Sequence, residues 1–198
     1  MDERKSEQMG SYELVAAKVS GRYQGAVWLL GEDGKREKIE ASEGASIDEV
    51  LSGLRSLVNE RLQNRALAAD GATPDVASLV KSFRRMAGRL SEGQLKMLCA
   101  HYNAPDRRCT ASELATAAGW KTFSLANLHY GTVGWWLYCE HPRVLPIDEK
   151  TGKAITTFML ADGAREGKED WVWTMHPYIA EALEASGLMQ PRARSAAR

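Results

Sequence analysis

Residues 109–140 read CTASELATAAGWKTFSLANLHYGTVGWWLYCE: a capped helix, a tight turn, and a second helix that opens with small and polar residues. Thr110 is followed three residues later by Glu113, so hydroxyl and carboxylate can satisfy each other's backbone amides at a helix start. The spacing predicts a helix from near Ala111, with Leu114, Ala115 and Ala118 on one stripe. Gly119 supplies the backbone freedom that ends it, and Trp120 is expected to plug the corner. A second helix is predicted to start between Thr122 and Ser124 and to run until Pro142, which cannot continue it. Its apolar stripe reads Leu125, Leu128, Thr132, Trp135 and Cys139. On the other side Lys121, Thr122, Ser124, Asn127 and Tyr130 gather donors and acceptors at the amino-terminal end, the end a recognition helix presents to the major groove. The bland alternative is a helix pair in an all-helical core, where Asn127 only caps or bridges neighbouring segments.

Upstream of this pair, Pro74 is placed to open a helix over about 75–89 that buries Val76, Leu79, Val80, Phe83 and Met86. Lys81, Arg84, Arg85 and Arg89 fall on its exposed side, either as a solvated face or as phosphate contacts. Ser91 and Gln94 form a second capping box, starting a helix that breaks before Pro105. A polar loop, Asp106-Arg107-Arg108, leads on to Thr110. Downstream, 155–160 (ITTFML) and 171–175 (WVWTM) read as two strands around a long tip, ADGAREGKED. A hairpin after a helix-turn-helix is a wing, and Arg165 and Lys168 at its tip are candidate phosphate or minor-groove contacts. A helix from Pro177 to Ser186 is stopped by Gly187.

At the amino end, residues 12–20, 25–30 and 36–41 read as three strands, with Gly21 and Gly25 at the first connection and Gly31-Glu-Asp-Gly34 at the second. Ser46 then precedes a helix whose apolar positions run from Ile47 to Leu62 and which ends near Arg65. The expected fold class is α+β: an N-terminal β-β-β-α unit over 1–66, a linker over 67–73, and a mainly helical winged helix-turn-helix domain over 74–187. A basic tail, 188–198, is expected to be disordered.

Formal charge sums to zero over the 198 residues, but its distribution is uneven. Residues 1–66 hold ten Lys and Arg against twelve Asp and Glu, and 145–198 hold seven against eight. Residues 74–144 hold nine against five, a net of plus four on the helix-turn-helix segment. That footprint suits a polyanion, though its size implies weak, salt-sensitive affinity. In the N-terminal unit Lys18, Arg22, Lys35, Arg36 and Lys38 are interleaved with Glu32, Asp33, Glu37, Glu40 and Glu43. The mixture favours an interaction or dimerisation role, with homodimerisation through this unit, over a dedicated DNA surface.

Three cysteines cannot all pair within one chain, and Cys99/His101 and Cys139/His141 only superficially resemble a zinc ligand set. Residues two apart on a helix point to different sides, so buried thiols are expected and no metal or cofactor. The charged start MDERKSEQMG lacks the apolar core of a secretory signal, and no apolar run approaches the roughly 18 residues of a membrane span. A cytoplasmic protein is expected. There is no phosphate-cradling glycine loop, nucleophile elbow or acid–base constellation, so no catalytic residue is assigned.

The strings LKMLCAHYNAP, TASELATAAGW and ANLHYGTVG resemble a winged-helix module of bacterial restriction proteins, where such modules accompany an HNH nuclease. The resemblance covers residues 90–187 and implies nucleic-acid recognition for that half. The HNH cluster itself has no counterpart here, so nuclease chemistry is not carried over. Gly131 and Gly134 inside the second helix should cost about 1 kcal/mol each relative to Ala. They imply a backbone approaching closely, most simply from within the chain.

Two functions follow as expectations. One is a non-enzymatic protein of bacterial defence or regulation that reads double-stranded DNA through Lys121, Thr122, Ser124, Asn127 and Tyr130, with Arg84, Arg85, Arg89, Arg107 and Arg108 on phosphates. The other is an inhibitor or adaptor encoded by a mobile element, of anti-restriction or anti-CRISPR type, that grips a protein or nucleoprotein complex. The tryptophan pairs Trp135/Trp136 and Trp171/Trp173 would serve as its anchors.

Overall fold

A computed structural model describes residues 3–31, 34–69, 71–166 and 170–190, the side chains of Glu166 and Asp170 excepted. It is mixed α+β, with an antiparallel sheet followed by helices, and divides into two units. One comprises residues 1–72 with 138–144, the other 73–137 with 145–198.

The N-terminal unit has four strands where three were expected: β1 (Arg4–Met9), β2 (Tyr12–Val19), β3 (Arg22–Leu30) and β4 (Arg36–Gly44), in that spatial order. β1, RKSEQM, carries no apolar alternation because it is an edge strand. Its inner positions reach the covering helix by ion pairs instead of packing: Lys5 to Asp48 at 2.8 Å and Arg55 to Glu7 at 2.7 Å. The β2–β3 turn is Ser20-Gly21, both at positive φ (52° and 82°), as a two-residue turn matched to the strand twist requires. Helix α1 (Ile47–Ala68), capped by Ser46, covers one sheet face and runs past the expected end into the segment read as linker. Tyr12, Leu14, Ala16 and Val27 meet Val50, Leu51, Leu54, Val58 and Leu62 in the buried layer between them. Gly25 lies inside β3 rather than in the turn. A Cβ there would stand 2.7 Å from Val50 Cγ1, so the glycine sets how closely helix and sheet approach. Arg65 closes this unit, donating to the Tyr12 hydroxyl (3.1 Å) and to the Glu140 carbonyl (3.1 Å).

The second unit begins with α2 (Val76–Met86), capped by Asp75 with Pro74 just outside, and a 3-10 turn over Ala87–Arg89. It continues with α3 (Glu92–Asn103), whose Ser91/Gln94 capping box forms as expected. Residues 108–110, read as loop and cap, form a short strand β5 (Arg108–Thr110). Helix α4 (Ala111–Ala118) has the Thr110/Glu113 capping box and ends on Gly119 at φ 76°. A four-residue turn then leads into α5 (Phe123–Glu140).

Two expectations fail downstream. The stretch 155–160 is not a strand: Thr156–Met159 is a 3-10 turn. The strand β6 (Ala161–Glu166) lies in what was read as the hairpin tip and pairs with β7 (Asp170–Met175), giving the order β5-β7-β6. β6 is polar because it is an edge strand held by backbone pairing, and Gly163 makes room for Trp171 and Trp173. Helix α6 (Pro177–Ser186) packs on α2 and ends at Gly187. Residues 191–198 of the tail, and Lys168, lie outside the described residues.

Candidate nucleic-acid interface

Helix α5, FSLANLHYGTVGWWLYCE, is apolar around most of its circumference, so composition alone does not say which face goes inward. The buried positions within the second unit are Ala126, Tyr130, Val133, Gly134 and Leu137, which lie on one helical face. The expected stripe of Leu125, Leu128 and Thr132 is therefore corrected. Leu128 is 63% exposed and Leu125 38% exposed, and Thr132 turns its hydroxyl back to the Leu128 carbonyl.

Three contacts fix this orientation. The expected glycine role is filled from within the chain. A Cβ on Gly134 would stand 2.0 Å from the Thr156 carbonyl oxygen, and the Thr156 hydroxyl donates to the Gly131 carbonyl at 2.7 Å. At the corner, Trp120 stacks on His129 with ring centroids 4.3 Å apart, and Gly93 of α3 leaves room for its indole. Inside, Tyr130 meets His101.

Tyr130 is thus removed from the groove-facing set. It is buried, with its hydroxyl 2.6 Å from His101 Nδ1, and His101 Nε2 lies 3.0 Å from the Trp173 carbonyl. A carbonyl only accepts, so Nε2 carries the proton and Nδ1 accepts from the tyrosine. Burial pulls the His101 pKa down to about 4 and pushes that of Tyr130 well up, so both are neutral near pH 7. The triad ties α3, α5 and β7 together.

The remaining residues expected at the groove do lie at the surface. Lys121, Thr122, Ser124 and Asn127 are exposed, and Ser124, Asn127 and Leu128, spaced i, i+3 and i+4, share one outward face. Phe123, 57% exposed, sits at the same end. Leu125 and Leu128 are the surface residues that sequence reasoning misplaced, since apolar residues at helical spacing read as core, and Phe123 was given no role.

The arginines divide. Arg84 donates to the Ala185 carbonyl at the end of α6 (3.0 Å), and Arg85 to Ser82 Oγ (3.3 Å). Arg89 lies 4.9 Å over the Trp136 ring. Arg107, at φ 54° beside Asp106 at φ 49°, lies 5.6 Å over Tyr102, whose hydroxyl donates to Glu184. Arg108 is exposed on β5. Arg165 is exposed on β6, directly across from the partly exposed Trp171 of β7.

Among the described residues no group of three or more His, Cys, Asp or Glu is placed to hold a metal ion. Cys99 is exposed while Cys109 and Cys139 are buried, and burial with the nearby Glu113 carboxylate pushes the Cys109 thiol up to about 11. No helix of the described residues is long and apolar enough to cross a membrane. Comparison of the chain with protein-family models, with curated proteins and with solved structures gives no match.

Proposed function

We propose that the protein is a non-enzymatic binder of double-stranded DNA, with α5 as the recognition helix of a winged helix-turn-helix. The observation that carries this reading is the outward face of Ser124, Asn127 and Leu128 on a helix whose opposite face is locked into the core. An Asn amide pairs bidentately with adenine, and exposed leucine methyls suit the thymine methyl group beside it. Lys121, Thr122 and Ser124 at the helix start are placed for phosphates and base edges. The order α3, β5, α4, α5, β6, β7, with β7 central in its sheet, supports the winged arrangement. Arg165 beside Trp171 then sits on the wing. Placement in bacterial defence or regulation rests on the resemblance of residues 90–187 to restriction-protein modules.

The test is binding of labelled duplex DNA across a salt series. Log affinity should fall linearly with log salt at a slope of about −0.9 per phosphate neutralised. Absence of binding even at about 50 mM salt, where non-specific contacts are strongest, would overturn the reading.

A second reading is favoured by Phe123, Leu125 and Leu128, three large apolar side chains exposed on one helix end. In it the same surface grips a protein or nucleoprotein complex, as an inhibitor or adaptor encoded by a mobile element would, with aromatic anchoring at its centre. Phe123→Ser separates the two: it leaves duplex binding nearly unchanged on the first reading and abolishes association with the protein complex on the second.

A further inference from the structure

Along the chain the N-terminal strands interleave cations with carboxylates, but the pairing register sorts them by face. Side chains alternate across a strand, so Arg4, Arg22, Arg36 and Lys38 share the face turned away from α1 with Glu13 and Glu43, while Glu37 and Glu40 lie on the α1 side. Arg36 pairs with Glu13 at 2.6 Å and lies 4.9 Å over the Trp28 ring. Arg4, Arg22 and Lys38 are exposed and, among the described residues, make no side-chain ion pair or hydrogen bond. The outer face is therefore basic, and three of its cations are open to a ligand.

The same face sets an aromatic ring beside a shallow floor. Half-buried Trp28 stands between Glu13 of β2 and Lys38 of β4, and the neighbouring row is Val15, Ala26 and Ala41, each exposed or half-exposed. Along β3 the outward side chains are Trp28, Ala26, Gln24 and Arg22, so the end with Trp28, Arg36 and Lys38 lies about 20 Å from Arg22 at the rise of an extended strand.

We propose that this face binds single-stranded DNA laid along β3. An unstacked base stacks against the Trp28–Arg36 pair, as bases do on aromatic rings and guanidinium planes. Lys38 and Arg22 take phosphates at the two ends of the floor, and the Gln24 amide faces the strand between them. Duplex DNA suits this face poorly: four strands span about 14 Å, wider than the two-stranded ribbon a major groove admits, and a base held in the duplex stack cannot reach Trp28. RNA is disfavoured by the floor, where Val15, Ala26 and Ala41 give a 2′-hydroxyl no side-chain hydrogen-bond partner. The proposal uses no residue of the second unit and is independent of the duplex reading.

Fluorescence anisotropy of the full chain with a labelled oligodeoxyuridine of about 20 nucleotides, longer than the usual site of a single-strand binding fold, tests it across a salt series. The wild-type chain binds at about 50 mM salt, and log affinity falls linearly with log salt. Arg22→Ser flattens that slope by about 0.7, the loss of one phosphate contact on a single strand. Arg61→Ser, which removes an exposed cation of α1 from the same unit, leaves the slope unchanged. Trp28→Ala lowers affinity about tenfold, the worth of one stacked base, and Trp28→Phe restores most of it. Because Arg22 and Arg61 are both exposed, their comparison stands even where Trp28→Ala weakens the fold. Absence of binding at about 50 mM salt, equal slopes for the two arginine variants, equal affinity for oligouridine, or equal displacement of the strand by polyglutamate of matched charge would each overturn the proposal. Duplex binding can fail without changing any of these outcomes.

Discussion

Two surfaces of the second unit carry side chains suited to nucleic acid, and they are built in opposite ways. The outer side of α2, with Arg89 just beyond it, holds the density of positive charge, yet its guanidinium groups are engaged within the unit: Arg84 on the Ala185 carbonyl, Arg85 on Ser82, Arg89 over Trp136. The turn into α5 and the amino-terminal half of that helix have only Lys121 as a formal charge but leave Thr122, Ser124 and Asn127 exposed. A cation already donating to a carbonyl must give up or share that bond to meet a phosphate, whereas an exposed amide on a rigid helix only sheds water. On the proposed DNA reading, α2 with its engaged cations belongs to the scaffold and α5 with its exposed polar face is the reader. Each prediction below can break or sharpen that contrast.

The largest effect belongs to the anchorage of α5. Gly134→Val would push a side chain into the Thr156 backbone, 2.0 Å from the position of the new Cβ. Backbone cannot swing aside as a side-chain tip can, so the loss should reach about 3 kcal/mol, the upper end of overpacking costs. Thermal unfolding should show it as a fall of about 6–12 °C. Gly131→Ala is the control: its Cβ would meet Thr156 Oγ1 at an ordinary 3.6 Å, and the gain in helix propensity should leave stability unchanged or slightly higher. If both substitutions cost the same, the segment over 156–159 does not hold α5 in place.

Next comes the buried triad. The His101 pKa is lowered to about 4 in the folded chain, with burial as the leading cause, against about 6.5 when unfolded. The unfolded chain therefore binds the extra proton across the interval between these values. Stability is fully present above about pH 6.5 and declines by about 1.4 kcal/mol per pH unit as pH falls toward 4. Denaturant titrations at several pH values measure this slope, and His101→Gln should flatten it. Tyr130→Phe leaves His101 Nδ1 without its donor and should cost about 1–3 kcal/mol, with duplex affinity unchanged below the melting transition. Lost affinity in that folded variant would return Tyr130 to the contact surface.

Much of this architecture is legible in the chain because its signals are local. The Thr110/Glu113 and Ser91/Gln94 boxes, the Gly119 and Gly187 stops and the alternation of β2 each depend on residues within a few positions of one another. What escapes is set by distant partners. β1 and β6 look like polar leader and polar tip because an edge strand can be held by backbone pairing and ion pairs without apolar alternation. The inward face of α5 is hidden for the opposite reason, since apolar residues surround it and only packing against His101, Trp173 and Thr156 selects Tyr130 over Leu128. That selection decides which candidates are at the surface: Asn127 stays there and Tyr130 leaves it.

The reader side of the comparison is tested by Asn127→Ala. On an exposed helix position it should leave the melting temperature nearly unchanged. Affinity for the preferred duplex should fall by about 1–3 kcal/mol, tenfold to hundredfold, while affinity for random duplex barely moves. Competition titrations with the two duplexes give the ratio directly. Equal loss on both would demote Asn127 from base reading to backbone contact.

The smallest effects separate scaffold cations from contact cations most cleanly, because they appear in the slope of a plot rather than in its height. Lys121→Ala should make log affinity less steep against log salt by about 0.9, the loss of one phosphate neutralised. Arg84→Ala should leave that slope unchanged, because its guanidinium is spent on the Ala185 carbonyl, and lower stability by about 1 kcal/mol through the lost hydrogen bond. Both remove one positive charge from the same unit, so any general attraction falls equally and cannot mimic the difference. Should Arg84→Ala flatten the slope as much as Lys121→Ala does, α2 lies against the nucleic acid too, and the distinction between an anchored basic helix and a free reading helix disappears.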